Sequence, residues 1–124
     1  MGVRDSRELH CWILADQLRQ RVVQATMRSS FASHPWLRSQ LQRSAASACS
    51  NIAEGFSRFN PKEFARFLNI SNGSLSEVLD HLDTAVSLGL VSTDEQASMA
   101  SLARRSRAAS AKLIRYLRTA KLPS

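Results

Sequence analysis

Apolar residues recur every three to four positions through four long stretches of this chain. That is the period of an amphipathic α-helix, and no stretch sustains the alternation of a strand. The spacing predicts helices over about Ser6 to Arg28, Pro35 to Phe56, Pro61 to Leu88 and Thr93 to Ala120. The residues between them are the ones that begin and end helices. Pro35 and Pro61 suit a first helical turn, where the missing N–H has no partner to lose. Asn60 precedes Pro61 as a cap, and Glu63 adds negative charge to that first turn. Gly89 can take the left-handed conformation that ends a helix. Ser92 or Thr93 then caps the fourth helix, with Asp94 and Glu95 in its first turn.

Each helix carries one stripe able to face a core. In the first it is Cys11, Leu14, Ala15, Leu18, Val22 and Ala25. In the second it is Leu37, Leu41, Ala45, Ala48, Ile52 and Phe56, among small residues that permit the tightest helix crossing. The third runs from Phe64 and Phe67 to Ala85 and Val86, with Gly73 on the opposite side. A glycine there costs about 1 kcal/mol against alanine, so it marks either a close neighbour or a neutral surface position. In the fourth helix, Met99, Leu102, Ser106, Ala109, Leu113, Tyr116, Leu117 and Ala120 alternate by threes and fours. Long helices with short connections favour antiparallel neighbours. The expected fold is therefore all-α, a single domain over residues 1–124 built as an up-down-up-down four-helix bundle. The first helix also has a second apolar stripe, Leu9, Trp12, Ile13, Val23 and Met27. It either packs under a loop or forms a subunit interface. Trp and Met are enriched at interfaces, which favours the second.

Charge sharpens this picture. The 124 residues carry 17 Lys and Arg against 10 Asp and Glu, a formal net charge of +7. Residues 91–124 alone hold seven bases and two acids. On a helical wheel Arg104, Arg105, Arg107, Lys112, Arg115 and Arg118 fall within about 160° of arc, opposite Leu102, Leu113 and Leu117. Arg is the better phosphate fork. One reading of this face is a phosphate-backbone contact surface, salt-dependent and indifferent to sequence. Others are a solvated face, an acidic protein partner, or pairing with Glu77, Asp80 and Asp83 on the third helix. No interleaving of bases with aromatics implies base stacking, and Tyr116 is expected to pack.

Candidate chemistry adds little. His10, His34 and His81 stand alone without ligand spacing, so no metal or other cofactor is expected. There is no Gly-rich phosphate loop, and Gly73-Ser74 lies within a helix, not at a strand–turn–helix elbow. Asn51, Glu54 and Arg58 share a helix face, with Glu54 and Arg58 spaced as an i,i+4 pair, and are expected to form a structural polar cluster at the turn into the third helix. Cys11 and Cys49 read as small buried apolar residues in a reducing compartment. Met1 to Leu9 has no apolar signal segment, and no run approaches a membrane span, so a cytoplasmic location is expected.

Three runs carry a resemblance. Asn51-Ile52-Ala53-Glu54-Gly55-Phe56 is followed by Lys62-Glu63-Phe64-Ala65-Arg66-Phe67-Leu68 and then Gly73-Ser74-Leu75-Ser76-Glu77. Leu41-Gln42-Arg43-Ser44-Ala45 and Trp12 fit the same pattern. In this order and at these spacings the chain resembles the four-helix bundle family of 23S rRNA intervening-sequence-encoded proteins. That family is related to the accessory variability determinants of diversity-generating retroelements. The likeness is close over about residues 8–90; the fourth helix fits by hydrophobic pattern only. Ala48-Cys49-Ser50 stands where members often carry a proline, and Asn72 where alanine is usual. The resemblance implies a bundle that assembles as a homopentameric ring, with no established catalytic activity. The retroelement accessory proteins bind nucleic acid and engage a reverse transcriptase. If the likeness extends that far, the fourth-helix Arg face with Arg38 and Arg43 is the contact surface. The expected function is thus a non-enzymatic, oligomeric, nucleic-acid-binding bundle. The alternative is a protein-interaction adaptor for a reverse transcriptase or a ribosomal partner.

Overall fold

The computed structural model describes residues 4–119. They form helices His10–Thr26 (α1), Pro35–Ser57 (α2), Pro61–Ser87 (α3) and Thr93–Thr119 (α4), with 3-10 turns at Ser6–Glu8 and Ser29–Ser33. Consecutive helices run antiparallel. Thr26 near the end of α1 meets Arg38 and Gln42 at the start of α2. Gly55 of α2 lies against Phe64 and Phe67 of α3. Gln96 of α4 donates to Asp83 near the end of α3. The fourth helix closes the bundle on the first, with Arg28 paired to Glu95 and Ser106 donating to the Cys11 carbonyl at 2.8 Å. Each helix packs chiefly on two others, so α2 and α4 are diagonal. No described helix is long and apolar enough to cross a membrane.

The stripes meet in one apolar core. Leu14, Leu18, Leu37, Leu41, Ile52, Leu68, Leu75 and Leu82 are 2% exposed or less, and burying each is worth roughly 2 kcal/mol. The most extensive pairing is α2 on α3. Small polar side chains bridge it: Ser71 Oγ donates to the Ala48 carbonyl at 2.9 Å, and the Ser47 and Ser74 hydroxyls lie 2.9 Å apart. At Gly55 the backbones are so close that an added Cβ would stand 2.7 Å from Phe67 Cβ. Gly73 is the opposite case, with nothing within 4 Å of its notional Cβ. Of its two readings, the structure selects a neutral surface position within this chain.

Several expectations need correction. The first helix does not begin at Ser6. Asp5 and Glu8 form a reciprocal capping box on a 3-10 turn, and Leu9 is extended at ψ 132° before α1 starts at His10. That break folds Leu9 into the core at 6% exposure, so it leaves the outer stripe of α1. The helix also stops at Thr26, short of Arg28. The 3-10 turn that follows plugs the bundle end with Phe31, which is fully buried. On α4 the buried sector runs through Ala103, Ser106, Ser110, Ile114 and Leu117. Tyr116 therefore sits on its flank, 51% exposed, and Ile114 takes the core position. Ala120 lies outside the described residues.

Gly89 ends α3 as expected, at φ 72°, with the Leu90 N–H bonded back to the Ala85 carbonyl. Ser92 and Glu95 then cap α4 reciprocally at 3.0 and 3.1 Å. Glu95 also holds Arg28, so one carboxylate fixes the start of α4 to the end of α1. Arg28, and after it the Ser92 N–H, lower its pKa from 4.5 to about 2.

Two tests follow from these contacts. Gly55→Ala should lower stability by about 2 kcal/mol through overpacking, whereas Gly73→Ala should raise it by about 0.5–1 kcal/mol; urea denaturation checks both. A carboxylate with a depressed pKa stabilises the fold above its ordinary value and loses that contribution as pH falls through the folded value. Between pH 4.5 and about 2, the melting temperature of the wild type should therefore fall more steeply than that of Glu95→Gln. The amide can keep the cap but has no charge to lose. Parallel curves would refute the strap.

Candidate nucleic-acid interface

The amphipathic register of α4 places its bases outward. Arg104, Arg105, Arg107, Lys112, Arg115 and Arg118 are all exposed, with Arg104 and Arg118 bordering grooves against α3. They stand without acid partners. Elsewhere five of the nine arginines are matched to acids: Arg7 to Asp5 at 2.7 Å, Arg19 to Asp16 at 2.8 Å, Arg28 to Glu95, Arg58 to Glu54 at 2.8 Å and Arg66 to Glu63 at 2.7 Å. Among the described residues none of the six bases of α4 forms an ion pair. Glu77, Asp80 and Asp83 do not neutralise them; Asp83 instead accepts a hydrogen bond from Gln96. Like charges held at this density on one rigid helix repel, and a polyanion removes that repulsion.

Arg38 and Arg43 do not extend this surface. Arg38 Nε donates to the Thr26 carbonyl at 2.7 Å, and Nη2 to the Arg28 carbonyl at 3.3 Å. It caps the open C-terminal end of α1, where a cation meets unpaired carbonyls. Arg43 is exposed on α2, but α2 is diagonal to α4, so the two outward faces point apart.

The expected cluster of Asn51, Glu54 and Arg58 divides. Asn51 Nδ2 donates to the Ser47 carbonyl at 2.8 Å and to its hydroxyl at 3.0 Å. Glu54 and Arg58 form an exposed pair one turn further on. The amide finds its partner one turn earlier in its own helix, while Arg58 opens the turn as the C-cap of α2. The guanidinium of Arg58 lies 5.1 Å from the centre of the Phe67 ring, and that of Arg66 lies 4.5 Å from it. This stacked arrangement was readable only in part, from Arg66 standing next to Phe67.

The outer face of α1 keeps Ile13 and Val23, each 37% exposed, and Met27, 65% exposed, with Trp12 half-buried against the core. Both cysteines are buried. Burial, and after it the Asp16 carboxylate, push the Cys49 thiol up to about 11; burial also raises Cys11. Neither is a nucleophile at neutral pH. Among the described residues no three His, Cys, Asp or Glu side chains converge.

A family model described as 23S rRNA-intervening sequence protein matches residues 7–119. No curated protein matches the chain.

Proposed function

The chain belongs to the 23S rRNA-intervening sequence protein family, and from that premise we propose that it is a non-enzymatic bundle that binds nucleic acid through the basic face of α4. The observation that carries this reading is the contrast in pairing. Five arginines outside α4 have carboxylate partners, while Arg104, Arg105, Arg107, Lys112, Arg115 and Arg118 have none among the described residues. Phosphates spaced along a backbone are the ligand such a row neutralises, with release of counterions and no need of base contacts.

In this reading copies assemble as a homopentameric ring through the outer face of α1. Trp12, Ile13, Val23 and Met27 support it as an apolar surface facing solvent in the single chain. Repetition serves binding, because several weak basic faces on one rigid assembly act together if one ligand reaches more than one of them. The fourth helix does not contribute to that contact and stays free for ligand.

Charge reversal of Arg104, Arg105 and Arg107 to Glu should abolish binding of labelled RNA at low salt without lowering the melting temperature. Retained binding would place the site elsewhere. A wild type that binds no RNA at low salt would overturn the nucleic-acid reading and leave the acidic protein partner, such as a reverse transcriptase, as the alternative to test. Met27→Asp should reduce the mass measured by light scattering, because it puts a charge into the interface. An unchanged mass would remove the α1 face from the assembly.

A further inference from the structure

We propose that Phe59 and the groove beside it form a stacking site for an unpaired base, so that the preferred ligand is single-stranded or looped nucleic acid. This inference rests on the nucleic-acid reading above. It starts from a residue that is placed unfavourably twice. Phe59 has φ 54°, in the left-handed region where a bulky side chain is crowded by its own backbone. Its side chain is also 90% exposed, so the ring lies in water. Neither cost is offset by packing within the chain.

The residues on both sides hold it there. Arg58 is tied to Glu54 and lies over Phe67. Asn60 caps α3, its Oδ1 accepting from the Glu63 N–H at 3.0 Å, and Pro61 begins the helix. With both neighbours fixed, the ring of Phe59 is presented outward at the α2–α3 end of the bundle. The residues that follow it, Asn60, Pro61 and Lys62, line a groove of about 880 Å³ between the start of α3 and the end of α4. Ala65 and Leu117 supply apolar surface and Lys62 and Arg118 supply positive charge, while Arg66 is paired with Glu63, which also lines the groove. Arg118 belongs to the basic face of α4 as well, so the groove continues that surface.

An exposed aromatic face, an apolar slot and flanking cations are the parts with which proteins hold single strands. The base stacks and the backbone runs over the charges. A closed duplex keeps its bases stacked on one another and offers the Phe59 ring no free face. In the sequence Arg58, Lys62 and Arg66 stand among Phe59, Phe64 and Phe67, a local interleaving of bases with aromatics that the sequence reading passed over, while Leu117 and Arg118 reach the groove only through the fold.

The informative variant is Phe59→Gly. Glycine adopts φ 54° without strain, so this variant should melt no lower than the wild type, and any lost binding is not lost folding. Fluorescence anisotropy with an unstructured oligoribonucleotide should show affinity weakened roughly tenfold, with binding to a blunt RNA duplex of equal length unchanged. Phe59→Trp should restore single-strand binding. Wild-type affinity for the single strand in Phe59→Gly, or equal weakening for both ligands, would overturn the stacking site and leave the α4 reading standing. A wild-type protein that binds neither RNA would overturn both. Co-sedimentation with anionic lipid vesicles that is lost in Phe59→Gly, with RNA binding intact, would assign the ring to a lipid surface instead.

Discussion

The approach of α2 to α3 at Gly55 fixes the geometry of one whole end of the molecule. Because position 55 has no Cβ, Phe64 and Phe67 pack directly on the backbone of α2. Buried serines then join the helices without holding them apart, Ser71 to the Ala48 carbonyl and Ser47 to Ser74. The position of the Phe67 ring follows from this contact, and both Arg58 and Arg66 stack on that ring. The path of the α2–α3 turn follows in its turn, and with it the outward placement of Phe59. A single missing methyl group thus links the tightest packing in the bundle to the surface we assign to an unpaired base.

The second organising feature is the uneven fate of the charges. Outside the fourth helix the fold gives several arginines structural tasks. They close ion pairs within a helix, as Arg19 does with Asp16, join helices, as Arg28 does with Glu95, or cap carbonyls, as Arg38 does for α1. The fourth helix is held to the bundle by apolar residues and buried serines. Its bases have no such task among the described residues. Among the described residues none of them closes an ion pair that holds the bundle together, and under the proposed function this charge meets the ligand.

Most of the fold was legible from periodicity and punctuation. Pro61 behind Asn60, and Gly89 ahead of Ser92, stand where the helices begin and end. The first three core stripes are buried nearly as spaced, with only Phe56, Leu79 and Val86 partly exposed. What could not be read is what tertiary neighbours decide. A helical wheel puts Leu9 on the outer stripe of α1, but a 3-10 turn and one extended residue rotate it into the core. The wheel likewise cannot choose between Ile114 and Tyr116, since each lies on an edge of the buried sector of α4 and the packing of α1 and α3 selects. Of the site, the α4 row was visible because it lies on one helix. The capping contacts of Arg38 could not be read, because its partners are the Thr26 carbonyl at the end of α1 and the Arg28 carbonyl just beyond it, which no side-chain pattern displays. The groove after Phe59 was legible on one side only, since one wall is the first turns of α3 and the other, Leu117 and Arg118, is brought there by the fold.

Under the proposed function the unpaired bases of α4 act as one phosphate-binding row. The most direct test is the salt dependence of wild-type binding to duplex DNA, where each neutralised phosphate contributes about −0.9 to the slope of log K against log salt. A slope near −5 is the result the account predicts if all six bases of one face engage. A slope near zero, or no binding at low salt, would contradict it.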